Sequence, residues 1–238
     1  MKTFTDEKYS NITGYEAVRQ SAKDFERYSS NLQGDRDVRD YHQLPLEVDP
    51  PRHTDYRHAI QPLFLRPKLE SHVQAFRSIA GDLLDAALNS ATELDVYNDI
   101  ALPYVVRCLG VIYNRPQDTA RWLEWGHDVW TAESEQRSGK TLHTYLDEVW
   151  GEASQEDIWS HLKAIEIDGR QISKQEFFGY AGVLLAGGRD TVIKLITGIV
   201  WHLLNQPRDL EALTQDMTLD RALINETLRF LSPLPSIE

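Results

Sequence analysis

The chain has 238 residues, 37 of them acidic and 25 basic, for a net charge of −12. That acidity repels phosphate backbones and argues against a nucleic-acid partner. The single cysteine, Cys108, excludes an internal disulfide and a CxxC metal site. No signal-peptide core and no run of ~20 apolar residues is present, so a cytoplasmic protein without a membrane span is expected.

In chain order, "SNITGYEAVRQSAKDFERYSS" predicts a short strand end, then a helix of about ten residues beginning near Tyr15. Residues 30–50 are polar and carry Gly34, Pro45 and Pro50, which predicts a long loop. "DPPRHTDYRHAIQPLF" opens a helix with Pro51 in its first turn, where the missing N–H is not needed. The apolar spacing of "PKLESHVQAFRSIAGDLLDAAL" predicts a further amphipathic helix. Another follows in "DVYNDIALPYVVRCLGVIY", interrupted by Pro103, and a third in "RPQDTARWLEWGHDVWTAES". Residues 141–163 form a more polar helix, and Asp168-Gly169 marks a turn. A long helix from about Lys174 to Asn205, apolar nearly all round, ends at Pro207. "DMTLDRALINETLRFLSPLP" is the last helix. The fold class is therefore mainly α with a small β component.

Charge is uneven. Residues 51–80 carry a local balance of +3 and residues 133–157 one of −5. These are either two solvated faces or, in the basic case, a patch that receives an anion or acidic partner.

The long helix raises the chemical question. "LLAGGRDTVIK" places Gly187 and Gly188 before Arg189, Asp190 and Thr191 in an apolar helix. Two interior glycines cost about 2 kcal/mol relative to alanine, and a buried carboxylate is costly unless paired. Glycine admits close approach to the backbone, and a carboxylate beside a hydroxyl can relay protons. The plainer reading is tight helix crossing with Asp190 paired to Lys194 at i,i+4. A phosphate loop is rejected, because Gly188 and Arg189 stand where Lys and Ser/Thr are required. His53 and Arg57 lie one turn apart on one helix face and can grip an anion together. Glu226 and Arg229 form an i,i+3 pair of a common kind.

Together and in this order, "DPPRHTDYR", "LLAGGRDT" and "ETLR" resemble three segments of the bacterial cytochrome P-450 family, the haem-thiolate monooxygenases. They are similar to the helix C entry, the oxygen-binding helix I and the Glu-x-x-Arg of helix K. The resemblance runs over roughly residues 10–238. It implies a partial P-450-like helical fold, one partial domain over 1–238 from about helix B through helix K. The haem-thiolate loop and helix L are not in it. It further implies haem b, a small and apolar organic substrate, and electrons from a ferredoxin and ferredoxin reductase. Carried over by residue, Ala186, Gly187 and Gly188 line the oxygen groove, and Asp190 and Thr191 deliver protons to dioxygen. His53 and Arg57 hold a haem propionate, and Glu226 and Arg229 belong to a buried structural ion-pair network. Arg189 stands at a variable position and is expected to carry little.

No metal ligand is expected among these residues. Cys108, in the apolar "VVRCLGV", is a small core residue. The competing reading is a haem-free helical binding or interaction protein of the same fold. With helix L absent, an apolar flank of the long helix is expected to meet water. Self-association or retention of a complementary C-terminal fragment is then expected.

Overall fold

The computed structural model describes residues 12–31, 41–90, 93–125, 140–153 and 155–232. Twelve α-helices and one hairpin follow in chain order among the described residues. The strand end expected just before Tyr15 is not formed at residues 12–14, and the part of the expected helix through 126–134 lies outside the described residues.

The N-terminal helix is shorter than expected: α1 spans Tyr15–Ser21 and none of its side chains is buried. Pro51 caps α2 (Arg52–Ile60), and α3 (Arg66–Glu70) follows a 3-10 turn. The amphipathic stripe becomes α4 (Val73–Ser90). The next apolar segment begins as a π-helical turn, Val96–Ala101, which Asp95 caps by accepting from the N–H groups of Tyr97 and Asn98. It then straightens into α5 (Leu102–Ile112), with Pro103 in the first turn. Pro103 therefore starts α5 rather than interrupting a helix, as expected where its missing N–H has no helical partner.

α6 spans Thr119–Leu123. The polar helix expected over 141–163 is two helices, α7 (Lys140–Gly151) and α8 (Ile158–Lys163). Asp157 separates them by capping α8, accepting from Ser160 N–H at 2.8 Å. Asp168 and Gly169, at φ of 56° and 75°, close the two-residue turn between β1 (Glu166–Ile167) and β2 (Arg170–Gln171). The expected long helix is broken: α9 (Lys174–Gly187) stops at Gly188 and α10 (Asp190–Asn205) begins after Arg189. Pro207 ends α10 and also opens α11 (Pro207–Gln215), a helix the sequence reading missed. α12 (Asp220–Leu231) is the last described helix.

The core sits where α5, α6, α7, α8 and α9 meet. Trp122, Tyr145, Trp159, Phe177 and Tyr180 are almost fully buried there. Trp125 packs edge-on to Tyr145 at 5.3 Å, and Tyr145 edge-on to Trp159 at 6.1 Å. Beneath these rings lies Arg115, only 3% exposed. Its guanidinium donates to Asp118 at 2.6 Å, Glu152 at 2.7 Å and Asp157 at 3.0 Å. A buried cation needs this many partners to replace its water. Within the acidic stretch, buried Asp157 and half-buried Glu152 hold Arg115, while Glu148 and Asp147, about half exposed, pair with Arg121 and Lys174 at the surface. Glu133, Glu135 and Arg137 lie outside the described residues.

Helix α2 is pinned to α9 from two sides. The Tyr180 hydroxyl donates to the Tyr56 carbonyl at 2.8 Å. The Tyr56 hydroxyl donates to Glu176 at 2.6 Å. Glu176 also receives both arms of Arg170, and closes a capping box with Ser173. Further along α9, a Cβ on Gly179 would lie 2.2 Å from the His42 carbonyl, so only glycine lets the 41–46 segment lie so close. Among the described residues no helix is long and apolar enough to cross a membrane.

The Arg170 guanidinium, with the Ser173 backbone and the Tyr56 hydroxyl, lowers the Glu176 carboxyl to about 2. A carboxyl lowered on folding stabilises the fold above its ordinary range, and that stability is lost as pH falls through about 4.5 toward 2. Glu176→Gln should therefore cost on the order of 2 kcal/mol near pH 6 and progressively less below pH 4. Urea midpoints of the two proteins across pH 2–7 check this, and a gap that stays constant with pH would contradict it.

Candidate functional site

The break between α9 and α10 concentrates unusual features. Gly188 N–H still bonds Leu184 at 3.3 Å, while Arg189 N–H reaches only Ala186 at 3.4 Å. The Thr191 hydroxyl donates to the Gly187 carbonyl at 2.9 Å, an i−4 back-bond of the kind that bends helices. The two glycines face different surroundings. A Cβ on Gly187 would meet nothing within 4 Å. A Cβ on Gly188 would lie 2.9 Å from the Leu184 carbonyl, 3.1 Å from Leu109 Cδ2 and 3.4 Å from the Tyr113 hydroxyl. Gly188 is thus the packing glycine, drawn against α5, where the Tyr113 hydroxyl donates to the Leu184 carbonyl at 2.8 Å. Gly187 borders open space.

Helix periodicity locates that space. Gly187 follows Tyr180 by seven residues, two turns along the same face of α9. Tyr180 is the residue that meets α2. The side of α9 that touches α2 is therefore the side left open at Gly187. On α2, His53 and Arg57 lie about 60° and 100° around the axis from Tyr56, next to that contact. His53 is half-buried and Arg57 exposed. Neither has a side-chain hydrogen bond or ion-pair partner among the described residues.

Asp190 is about half exposed, and its carboxylate lies 3.9 Å from Arg189 Nε. Arg189, expected to carry little, is only 5% exposed and donates from Nη2 to the Trp125 carbonyl at 2.7 Å. Sequence reasoning missed it because its partner is a backbone oxygen 64 residues away. Ala186 is half-buried beside Gly187. Glu226 and Arg229 are paired at 2.7 Å on α12, but their side chains are 63% and 69% exposed. Beyond this pairing, the segments expected to complete their network are not among the described residues. Cys108 is buried in α5, and burial raises its thiol to about 11.

The contrast between the glycines sets a measurable expectation. Gly187→Ala should be neutral or stabilise by up to about 1 kcal/mol, since it adds helix propensity without a clash. Gly188→Ala should destabilise by about 1–2 kcal/mol through overpacking against Leu109 and the Leu184 carbonyl. Thermal melts of the two variants, side by side, decide it; equal melting points would show that the glycines are equivalent.

No family model matches the chain. Among curated proteins, it is 29% identical over 247 residues to cytochrome P450 107B1 of Saccharopolyspora erythraea, covering 94% of this chain and 60% of that one. It is 27% identical to the cytochrome P450 monooxygenase PikC of Streptomyces venezuelae, over 80% of this chain and 48% of that one. The chain thus spans about half to three-fifths of the length of the curated relatives it matches. Among solved structures, a carbohydrate-active P450 superposes with a TM-score of 0.77 at 29% identity, covering 92% of this chain and 59% of that one. CYP109Q5 of Chondromyces apiculatus gives a TM-score of 0.76 at 25% identity, over 92% of this chain and 58% of that one. The fold is that of the cytochromes P450, and the resemblance to the bacterial family holds across nearly the whole chain.

Proposed function

We propose that this chain is part of a bacterial cytochrome P450 monooxygenase, with the α9–α10 break as the oxygen side of its site. The observation that carries this reading is the open face at Gly187, on the side of α9 that meets α2, with Asp190 and Thr191 immediately beyond it.

The residues present fit a haem. A flat macrocycle needs an unobstructed helix face, which Gly187 leaves, and cationic donors at its acidic edge. His53 and Arg57 are such donors, adjacent and without other partners among the described residues. When bound, the haem supplies the redox centre at which dioxygen is reduced and one oxygen atom passes to the substrate. The protein's part is positional. His53 and Arg57 hold the propionates by charge-assisted hydrogen bonds. Ala186 and Gly187 keep the groove clear, while Gly188 draws the helix onto Leu109 and Tyr113 and so fixes the groove's depth. The Thr191 hydroxyl, held by the Gly187 carbonyl, passes a proton into the groove. The half-exposed Asp190 carboxylate exchanges that proton with solvent. Glu226 and Arg229 act structurally on α12.

Cys108 is packed inside α5, so the thiolate that would hold the haem in this reading would be supplied by residues outside these 238. The substrate is a small, apolar organic molecule. The electron donor is an acidic ferredoxin-type protein with its reductase, and the net positive charge of residues 51–80 supports this.

Mixed with haem, reduced and exposed to carbon monoxide, the 238-residue chain should give no thiolate-type Soret band, while the full gene product should give a strong one. A thiolate band from the 238 residues alone would overturn the assignment of the ligand. No haem band in the full product would favour the haem-free binding protein.

Thr191→Ala in the haem-loaded enzyme should lower product formed per reduced nicotinamide consumed by about tenfold, and Asp190→Asn should slow turnover comparably. Unchanged coupling in the Thr191 variant would leave that hydroxyl a helix-bending group only.

A further inference from the structure

The break contains a charged group that the proposed reaction leaves unused. Arg189 is buried, and a buried guanidinium persists only where fixed partners replace its water. Its Nη2 donates to the Trp125 carbonyl at 2.7 Å. Trp125 ends the turn after α6, where its N–H donates to the Trp122 carbonyl at 3.4 Å. Nε is buried with no hydrogen-bond partner among the described residues, and Asp190 Oδ1 lies 3.9 Å from it. The gap exceeds a hydrogen bond by less than 1.5 Å, within reach of a small carboxylate movement. An apolar side chain of similar length would fill the same space without the desolvation cost.

We propose that Arg189 is a positioning residue for Asp190, holding its carboxylate at the mouth of the break and tying that position to the end of α6. Its meaning in turnover rests on the monooxygenase reading; the tether itself does not. Trp125 packs on Trp122 and Tyr145, so a displacement of the α6–α7 aromatic cluster moves the Trp125 carbonyl, then Arg189, then Asp190. The relay at Thr191 is then set by how that cluster sits. Arg189 keeps one N–H unsatisfied at rest, and bonding to Asp190 supplies the missing acceptor.

The test uses Arg189→Met, Arg189→Lys, Asp190→Asn and the Met/Asn double variant. In the haem-loaded protein, Arg189→Met should lower product per reduced nicotinamide about tenfold. Its substrate-binding spectral midpoint should be unchanged, and Arg189→Lys should recover most of the coupling. The double variant should lose no more than Asp190→Asn alone, because the two residues act as one unit. Additive losses, unchanged coupling in Arg189→Met, or a loss shared equally by substrate binding and not recovered by lysine would overturn the proposal. A second arm needs no haem. In the 238-residue chain with 13C-labelled aspartate, the Asp190 carboxyl resonance should move in Arg189→Met and stay near its place in Arg189→Lys. If it is the same in all three proteins, the tether is refuted whatever the enzyme does. If it moves but no haem binds to the full gene product, the tether stands and the monooxygenase reading fails.

Discussion

The site depends on one helix being held in two pieces. A continuous helix from Lys174 to Asn205 would carry its apolar surface past α5 in one straight line. Instead, three contacts hold the break at Gly188 and Arg189. The Tyr113 hydroxyl takes the Leu184 carbonyl, Gly188 packs onto Leu109, and Arg189 reaches across to Trp125. Each uses a backbone group or a missing side chain near the break, so none depends on the long-range fit of the rest of the helix. Thr191 then closes the turn from the other side by taking the Gly187 carbonyl.

The anchors of the break rest in turn on the aromatic core. Trp125 presents its carbonyl to Arg189 because its ring is fixed against Trp122 and Tyr145. Tyr145 is held by donating to Asp118 at 2.7 Å and by accepting from Trp159 Nε1 at 3.0 Å. Asp118 belongs to the Arg115 cluster, which therefore locates both the aromatic core and, at one remove, the break. Buried ionic clusters are weak sources of net stability, but losing a partner from one is costly. Such a cluster fixes geometry more than it adds free energy, which is what a positioned helix break requires.

Much of this was legible in the sequence where the signal is local. Asp168-Gly169 gave the hairpin turn, Pro51 opened α2, and the juxtaposed glycines before Asp190 marked the place where the backbone does something unusual. Legibility failed where the partner is distant or the signal has two meanings. The glycines were read for close approach inside an unbroken helix; one of them packs and the other stays open, and both flank a break. Pro207 was read only as a terminator, although the same residue suits the first turn of α11. Glu152 and Asp157 looked like part of an acidic face, because nothing local ties them to Arg115, 37 and 42 residues earlier. Glu226 and Arg229 form the expected pair. An i,i+3 spacing fixes the pairing, whereas burial depends on what packs over α12.

Breaking the helix also costs less than the propensity of two glycines suggests, because its halves answer to different neighbours. α9 is capped by Ser173 and Glu176 and nearly enclosed, with Phe177 packed on Trp150 of α7 and Trp159 of α8, Tyr180 on Tyr56 of α2, and Ala181 and Leu185 also buried. α10 buries only Ile193 fully and packs chiefly on α12 and the π-helical turn, with Gly198 admitting Leu231 at close range. Its far end leaves Trp201 and Leu204 exposed. A straight helix would satisfy one set of contacts at the expense of the other. The break lets each half keep its own packing, and around it the Tyr113 and Thr191 hydroxyls donate to the Leu184 and Gly187 carbonyls while Arg189 reaches the Trp125 carbonyl. Gly187 therefore stands at the end of the enclosed helix, with Gly188 packed on α5 and no described residue within 4 Å of where a side chain on Gly187 would begin.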